Sequence, residues 1–172
     1  MIDTSFLLIS FEAGLVLSIV LSTFLYGLLW INPEIMLNDY PPAIRKKFGP
    51  MTSRTKQQHI IASIVFVAIL LIIVVWSFSM LRERCGGPYT FALASIHAFI
   101  MFMTFNLVDW LFLDWFCFVA LRPKFIVLPG TEGMKDYGDY WFHFRGFLIG
   151  TAIILISAPL VGGIAIFVQN WS

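Results

Sequence analysis

The chain is 172 residues long, 59% apolar and only 12% charged. Soluble domains carry about 25% charged residues, so this composition excludes an ordinary soluble fold and points to lipid as the natural solvent. A net charge of +1, with no basic domain and no nucleic-acid motif, gives no footing for nucleic acid as a partner.

The opening residues, MIDTSFLLIS, hold no Lys or Arg ahead of the apolar run, unlike the basic start of a cleaved signal peptide. They are expected to begin a retained membrane helix. Crossing a ~30 Å hydrocarbon core takes roughly 20 apolar residues in helical form. Four runs meet that length, at 6–31, 59–81, 89–121 and 144–168. None alternates apolar and polar residues, which disfavours strands. The expectation is an all-α integral membrane bundle of four transmembrane helices, forming one domain over 1–172.

Lys and Arg give the direction. The connection between spans one and two carries Arg45, Lys46, Lys47, Arg54 and Lys56. That between spans three and four carries Arg122, Lys124 and Lys135, with Arg145 at the edge of span four. The other side holds only Arg82 and Arg84. Cationic loops are retained in the cytoplasm. Both termini are therefore expected outside and both long connections inside, in a plasma or bacterial inner membrane. Cys85 and Cys117 should lie at opposite faces and stay unbonded.

Gly14, Ser18 and Ser22 recur every four residues in span one, as do Gly146 with Gly150 and Ala158 with Gly162 in span four. Small residues at that spacing allow close helix contact in lipid, within the chain or between copies. The first connection, PEIMLNDYPPAIRKKFGPMTSRTKQQ, is broken by prolines and reads as a cationic segment lying on anionic headgroups, or else as a gate or docking surface. The second ends in an aromatic and ionic cluster of Tyr137, Tyr140, Trp141, His143 and Arg145, which an interfacial belt would explain.

Span three contains NLVDWLFLDW, two aspartates deep in an apolar run. Ionisable groups there are costly and usually face the bundle interior or a wet cavity. At 1.5 Å per residue, Asp109 is expected roughly 20 Å and Asp114 roughly 12 Å from Arg122. A regular α-helix spreads Asn106, Asp109 and Asp114 over about 140° of its circumference. The expected inner site therefore joins Asn106, Asp109 and Asp114 to His59, His143 and Arg145. An outer tier is expected where Glu12 meets His97, with Thr23, Tyr26 and Trp30 extending that polar face inward.

These residues suit binding of a small polar, ionic or lipid-headgroup ligand, with proton coupling through His and Asp. One alternative is an embedded enzyme using Asp/His acid–base or metal chemistry on a lipid-soluble substrate. Another is a structural or accessory subunit, in which the polar groups only fix helix register. No HxxxH, HExxH, CxxC or GxSxG spacing occurs, so no metal site or serine hydrolase is expected and no cofactor is specified. The partners expected are the lipid bilayer and either a second copy or a membrane partner subunit. An aromatic set on span three, Phe99, Phe102, Phe105, Phe112 and Phe116, suits lipid or partner contact.

Overall fold

A computed structural model describes residues 2–171. They form α1 (Thr4–Ile31), α2 (Pro42–Phe48), α3 (Ser53–Cys85), α4 (Phe91–Val108) and α5 (Tyr140–Trp171). The third span continues past α4 as a π-helix, Asp109–Leu121. Among the described residues there is no strand. Four helices are long and apolar enough to cross a membrane: α1, α3, α4 with its π continuation, and α5.

Each long helix begins on an oxygen that caps a free backbone amide. Asp3 accepts from the Phe6 amide at 2.8 Å, Thr52 from Thr55 at 3.1 Å, Thr90 from Leu93 at 3.3 Å, and Asp139 from Phe142 at 2.9 Å. The ends are set by Asn32-Pro33, by Gly86 at φ 65°, and by Arg122 at φ 42° followed by Pro123. The helices lie in the order α3, α1, α4, α5, with α1 and α4 in the centre.

Three of the recurring small residues make close contacts within the chain, whereas Gly146 is exposed with open space beside it. Gly14 lies against Thr104, Gly150 against the Asn106 side chain, and Gly162 against the Ser95 backbone. The aromatic set on span three is split. Phe99, Phe102 and Phe105 pack against the interior clusters, while Phe112 and Phe116 are exposed.

The first connection is more than a strand of cationic chain. A kinked 3-10 segment, Pro33–Asp39, and α2 fold back onto the second connection. Leu37, Tyr40, Ile44, Ile126, Leu128 and Tyr137 form a buried core there with Phe118 of the π-helix. The Tyr40 hydroxyl donates to the Ile126 carbonyl at 2.8 Å, and the Leu128 amide donates to the Tyr137 hydroxyl at 2.9 Å. The two connections thus make one cap over one end of the bundle. At the other end, Asp3 pairs with Arg84 at 3.7 Å and Gln169 bonds both backbone groups of Tyr89.

The π-helix changes the expected geometry of span three. Its amides bond five residues back, as the Arg122 amide does to the Cys117 carbonyl at 3.0 Å. Residues five apart then return to nearly the same side. Asp109 and Asp114 are thereby brought nearer one side than in an α-helix, as are Trp110 and Trp115. The ~3.8 Å step between Cα atoms is fixed, so a wider coil advances less per residue. Both aspartates are accordingly nearer the cap than α geometry implies.

Candidate functional site

A cavity of about 760 Å³ opens beneath the cap, lined by α1, the 33–39 segment, α2, α3, the third span and α5. Phe66 of α3 and Ile149 and Ile153 of α5 all line it, although those two helices stand at the two ends of the packing order. Its apolar part is completed by Leu25, Leu29, Phe105 and Leu113. Its polar part gathers Asp39, Asp109, Asp114, His143, Arg45 and Arg145.

The closest polar contact among these is His143 Nδ1 to Asp114 Oδ1, at 3.0 Å. His143 is 4% exposed and Asp114 28%, so the imidazole is buried while the carboxylate still reaches the cavity. The ring of His143 is flanked by Phe118 and Phe142, with centroids 4.9 and 5.2 Å away. Its Nε2 is buried without a hydrogen-bond partner. In the neutral ring, a carboxylate on Nδ1 fixes that nitrogen as the donor and leaves Nε2 as an acceptor. Asp109, one π turn away, lines the same cavity.

Asn106 is committed to helix packing. Its Nδ2 donates to the Phe147 carbonyl at 3.2 Å and the Thr151 hydroxyl at 3.1 Å, and it borders the cavity from that fixed position. Arg145 is exposed at the cavity rim. His59 is placed elsewhere. Its Nδ1 donates to the Ile35 carbonyl at 2.8 Å, and the residue lines a neighbouring cleft that shares Asn38, Pro42 and Arg45 with the cavity but none of its aspartates Asp39, Asp109 and Asp114. The expected inner set is therefore brought together except for His59.

The expected outer pair does not form. His97 is fully buried and receives its contact from Ser10, whose Oγ lies 2.9 Å from Nδ1. The Ser10 hydroxyl also donates to the Phe6 carbonyl at 2.8 Å, so the imidazole N–H is the donor to Oγ. The inward face of α1 is Phe6, Ser10, Ala13, Gly14 and Leu17. Glu12 lies about 100° from Ala13 and about 200° from Ser10 around the helix, and it is exposed. Thr23 and Trp30 are exposed as well, and of that expected face Tyr26 alone turns inward, lining the cavity with its hydroxyl buried.

Asp39 is the residue that sequence reasoning passed over. It is the last residue of the 3-10 segment and precedes Tyr40-Pro41-Pro42, a position that looks like an ordinary loop acid. More than a third of its surface is accessible, but that surface lines the cavity and is ringed by protein. Water in a concave pocket solvates a charge less well than bulk water, so the surrounding protein outweighs that accessibility. Burial among these walls, with the charge of Asp114, raises its carboxyl above the usual range, while His59, Arg45 and His143 oppose the shift. Burial likewise keeps the neighbouring Tyr40 phenol neutral.

Among the described residues no three His, Cys, Asp or Glu side chains gather tightly enough to hold a metal ion. Compared with known protein families, curated proteins and solved structures, the chain finds no match. Its class is defined by the fold alone: an all-helical chain with four helices suited to a multi-pass membrane protein.

Proposed function

We propose that this is a multi-pass protein of a plasma or bacterial inner membrane that binds a small cationic or zwitterionic ligand in the cavity beneath its cap. Nine Lys and Arg at or beside the two connections, against two between α3 and α4, support a cytoplasmic cap and external termini. The observation that carries the binding reading is the convergence of Asp39, Asp109 and Asp114 from two different segments on one cavity. Three carboxylates in a concave, partly apolar site favour a positive group such as an ammonium. Arg45 and Arg145 at the same cavity suit a second, negative group on the ligand. The Asp114–His143 contact holds one of these carboxylates in place at the cavity wall.

An embedded enzyme is the second reading, and the Asp114–His143 contact favours it, since a carboxylate orienting an imidazole is a familiar general base. The buried Nε2 would have to become accessible before it could reach a substrate. Binding is therefore preferred. The test is mass spectrometry of small molecules and lipids retained by the purified wild type and by Asp109→Asn. A cationic or zwitterionic species held by the wild type and depleted in a normally folded variant is expected. Equal retention by both proteins rejects Asp109 as a binding residue.

A further inference from the structure

The cleft that contains His59 is a different environment from the acidic cavity. It has a volume of about 920 Å³ and lies between α2, the Gly49–Met51 turn and the first turns of α3. Arg45, Lys46, Lys56 and His59 line it, and no carboxylate does. Among the described residues none of these four makes an ion pair, and the Arg45 Nε is buried without a hydrogen-bond partner. The Ile35 carbonyl can only accept, so it holds the Nδ1–H of His59 and leaves Nε2 as the atom available to a ligand. Arg45 and His59 feel the charge of Asp39 across the 33–39 segment, whereas Lys46 and Lys56 are exposed. The helix terminus is not the attraction, because the Glu34 carboxylate already accepts from the Thr52 amide at 2.6 Å.

The apolar part of the cleft includes Leu37, Met51 and Ile60. Ile60 also begins an exposed stripe on α3 that continues through Ile64, Val67 and Leu71, at helical spacing. Cations at a membrane interface, followed by an apolar track along the span, match a phosphate with an acyl chain attached.

We propose that this cleft binds the phosphate of an anionic phospholipid, with its acyl chain along the Ile60–Leu71 stripe. The phosphate oxygens accept from Lys46 and Lys56, and Arg45 adds its charge from the wall shared with the acidic cavity. The cleft shares Asn38, Pro42 and Arg45 with the acidic cavity, but Lys46, Lys56 and His59 line the cleft alone, so the site stands whether or not that cavity holds a ligand.

The test is thermal unfolding of the purified full chain in detergent, with phosphatidylglycerol, phosphatidylcholine or inorganic phosphate added. Phosphatidylglycerol should raise the midpoint of the wild type, and phosphatidylcholine and inorganic phosphate should raise it much less. In the double variant Lys46→Gln/Lys56→Gln that rise should be largely lost. The control Lys47→Gln/Arg54→Gln removes the same charge outside the cleft and should keep it. Equal losses in both double variants would mean general charge attraction and overturn the site. Equal stabilisation by inorganic phosphate would overturn the lipid assignment. If Lys46→Gln/Lys56→Gln fails to fold, each single variant is measured in its place, and an undiminished rise in both overturns the proposal.

Discussion

The indole rings of Trp110 and Trp115 meet edge to face with centroids 4.7 Å apart, although five residues separate them in the chain. A regular α-helix brings residues three or four apart together, and a π-helix brings five. The repeat Asp109-Trp110 and Asp114-Trp115 is therefore in step with the backbone that carries it. No Pro or Gly lies between Phe91 and Arg122 to force the wider coil. Trp110 also stacks on Phe147 at 4.4 Å and meets Phe144 at 5.2 Å, and Trp115 meets Tyr140 at 5.3 Å. Aromatic packing against α5 is the stabilisation this geometry displays.

Trp110→Ala removes three ring contacts at once, each worth about 0.5–1.5 kcal/mol beyond its area. The expected loss of stability is on the order of 3 kcal/mol. Phe112→Ala removes an exposed ring with one aromatic neighbour, Phe116, and should cost under about 1 kcal/mol. Thermal or denaturant unfolding in detergent compares the two. Equal losses would show that the Trp110 contacts do not hold this segment.

Asp39 gives a pH signature. Its folded-state carboxyl is raised above the ordinary value of 3.8, chiefly by burial and next by Asp114. Below that ordinary value both folded and unfolded chains carry it protonated, and folding suffers no penalty from it. As pH rises through the folded-state value, the folded protein must ionise it in an unfavourable place, and that stability is lost. Asp39→Asn should therefore unfold at a higher temperature than wild type near neutral pH. The difference should close as pH falls toward the ordinary carboxylate value. A difference that stays constant across that window, or a variant less stable near neutrality, would reject the burial of this charge as its controlling feature.

Much of this arrangement is legible in the residues. Apolar length alone marks the four helices, and Asn32-Pro33 and Arg122-Pro123 mark two ends within a residue. The cost of charge in lipid singles out Asp109 and Asp114, and matching depth adds His143; the structure places all three at one cavity. What escaped the sequence depends on helix type and on folding between distant segments. Glu12 looked suited to His97 by depth, but the inward face of α1 is set by Ser10, Ala13 and Gly14 against α4. Asp39 enters the cavity only because the two connections share a core through Tyr40, Ile126 and Tyr137. His59 is drawn away by a backbone carbonyl, Ile35, that no side-chain pattern announces.

Orientation can be measured with a native probe. Cys85 is free and exposed at the end that carries the termini, while Cys117 is buried. An impermeant maleimide applied to intact cells should label the wild type, and Cys85→Ser should remove the signal. In that background a cysteine at Thr4 or Asn170, both exposed, should restore labelling. One at Arg54, exposed at the cap end, should label only after the membrane is opened. Labelling at Arg54 in sealed cells would reverse the assignment that the Lys and Arg distribution supports.

Gly162 and Gly163 are neighbours in α5 with opposite surroundings. A Cβ on Gly162 would come within 2.8 Å of the Ser95 amide nitrogen and 3.0 Å of its Cα, so α4 and α5 would have to separate. A Cβ on Gly163 would meet only a Phe91 ring carbon at 3.8 Å, an ordinary contact. Overpacking typically costs about 1–3 kcal/mol, whereas Gly to Ala in an unobstructed helix gains up to about 1 kcal/mol. Gly162→Ala should lower the unfolding midpoint in detergent, and Gly163→Ala should leave it unchanged or raise it. The same pair separates an internal contact from one between copies. If Gly162 served an interface with a second chain, Gly162→Ala would change the mass of the detergent-solubilised particle and spare the monomer's stability. The close approach to Ser95 places the effect in the folded monomer, so loss of stability at unchanged mass is the expected outcome.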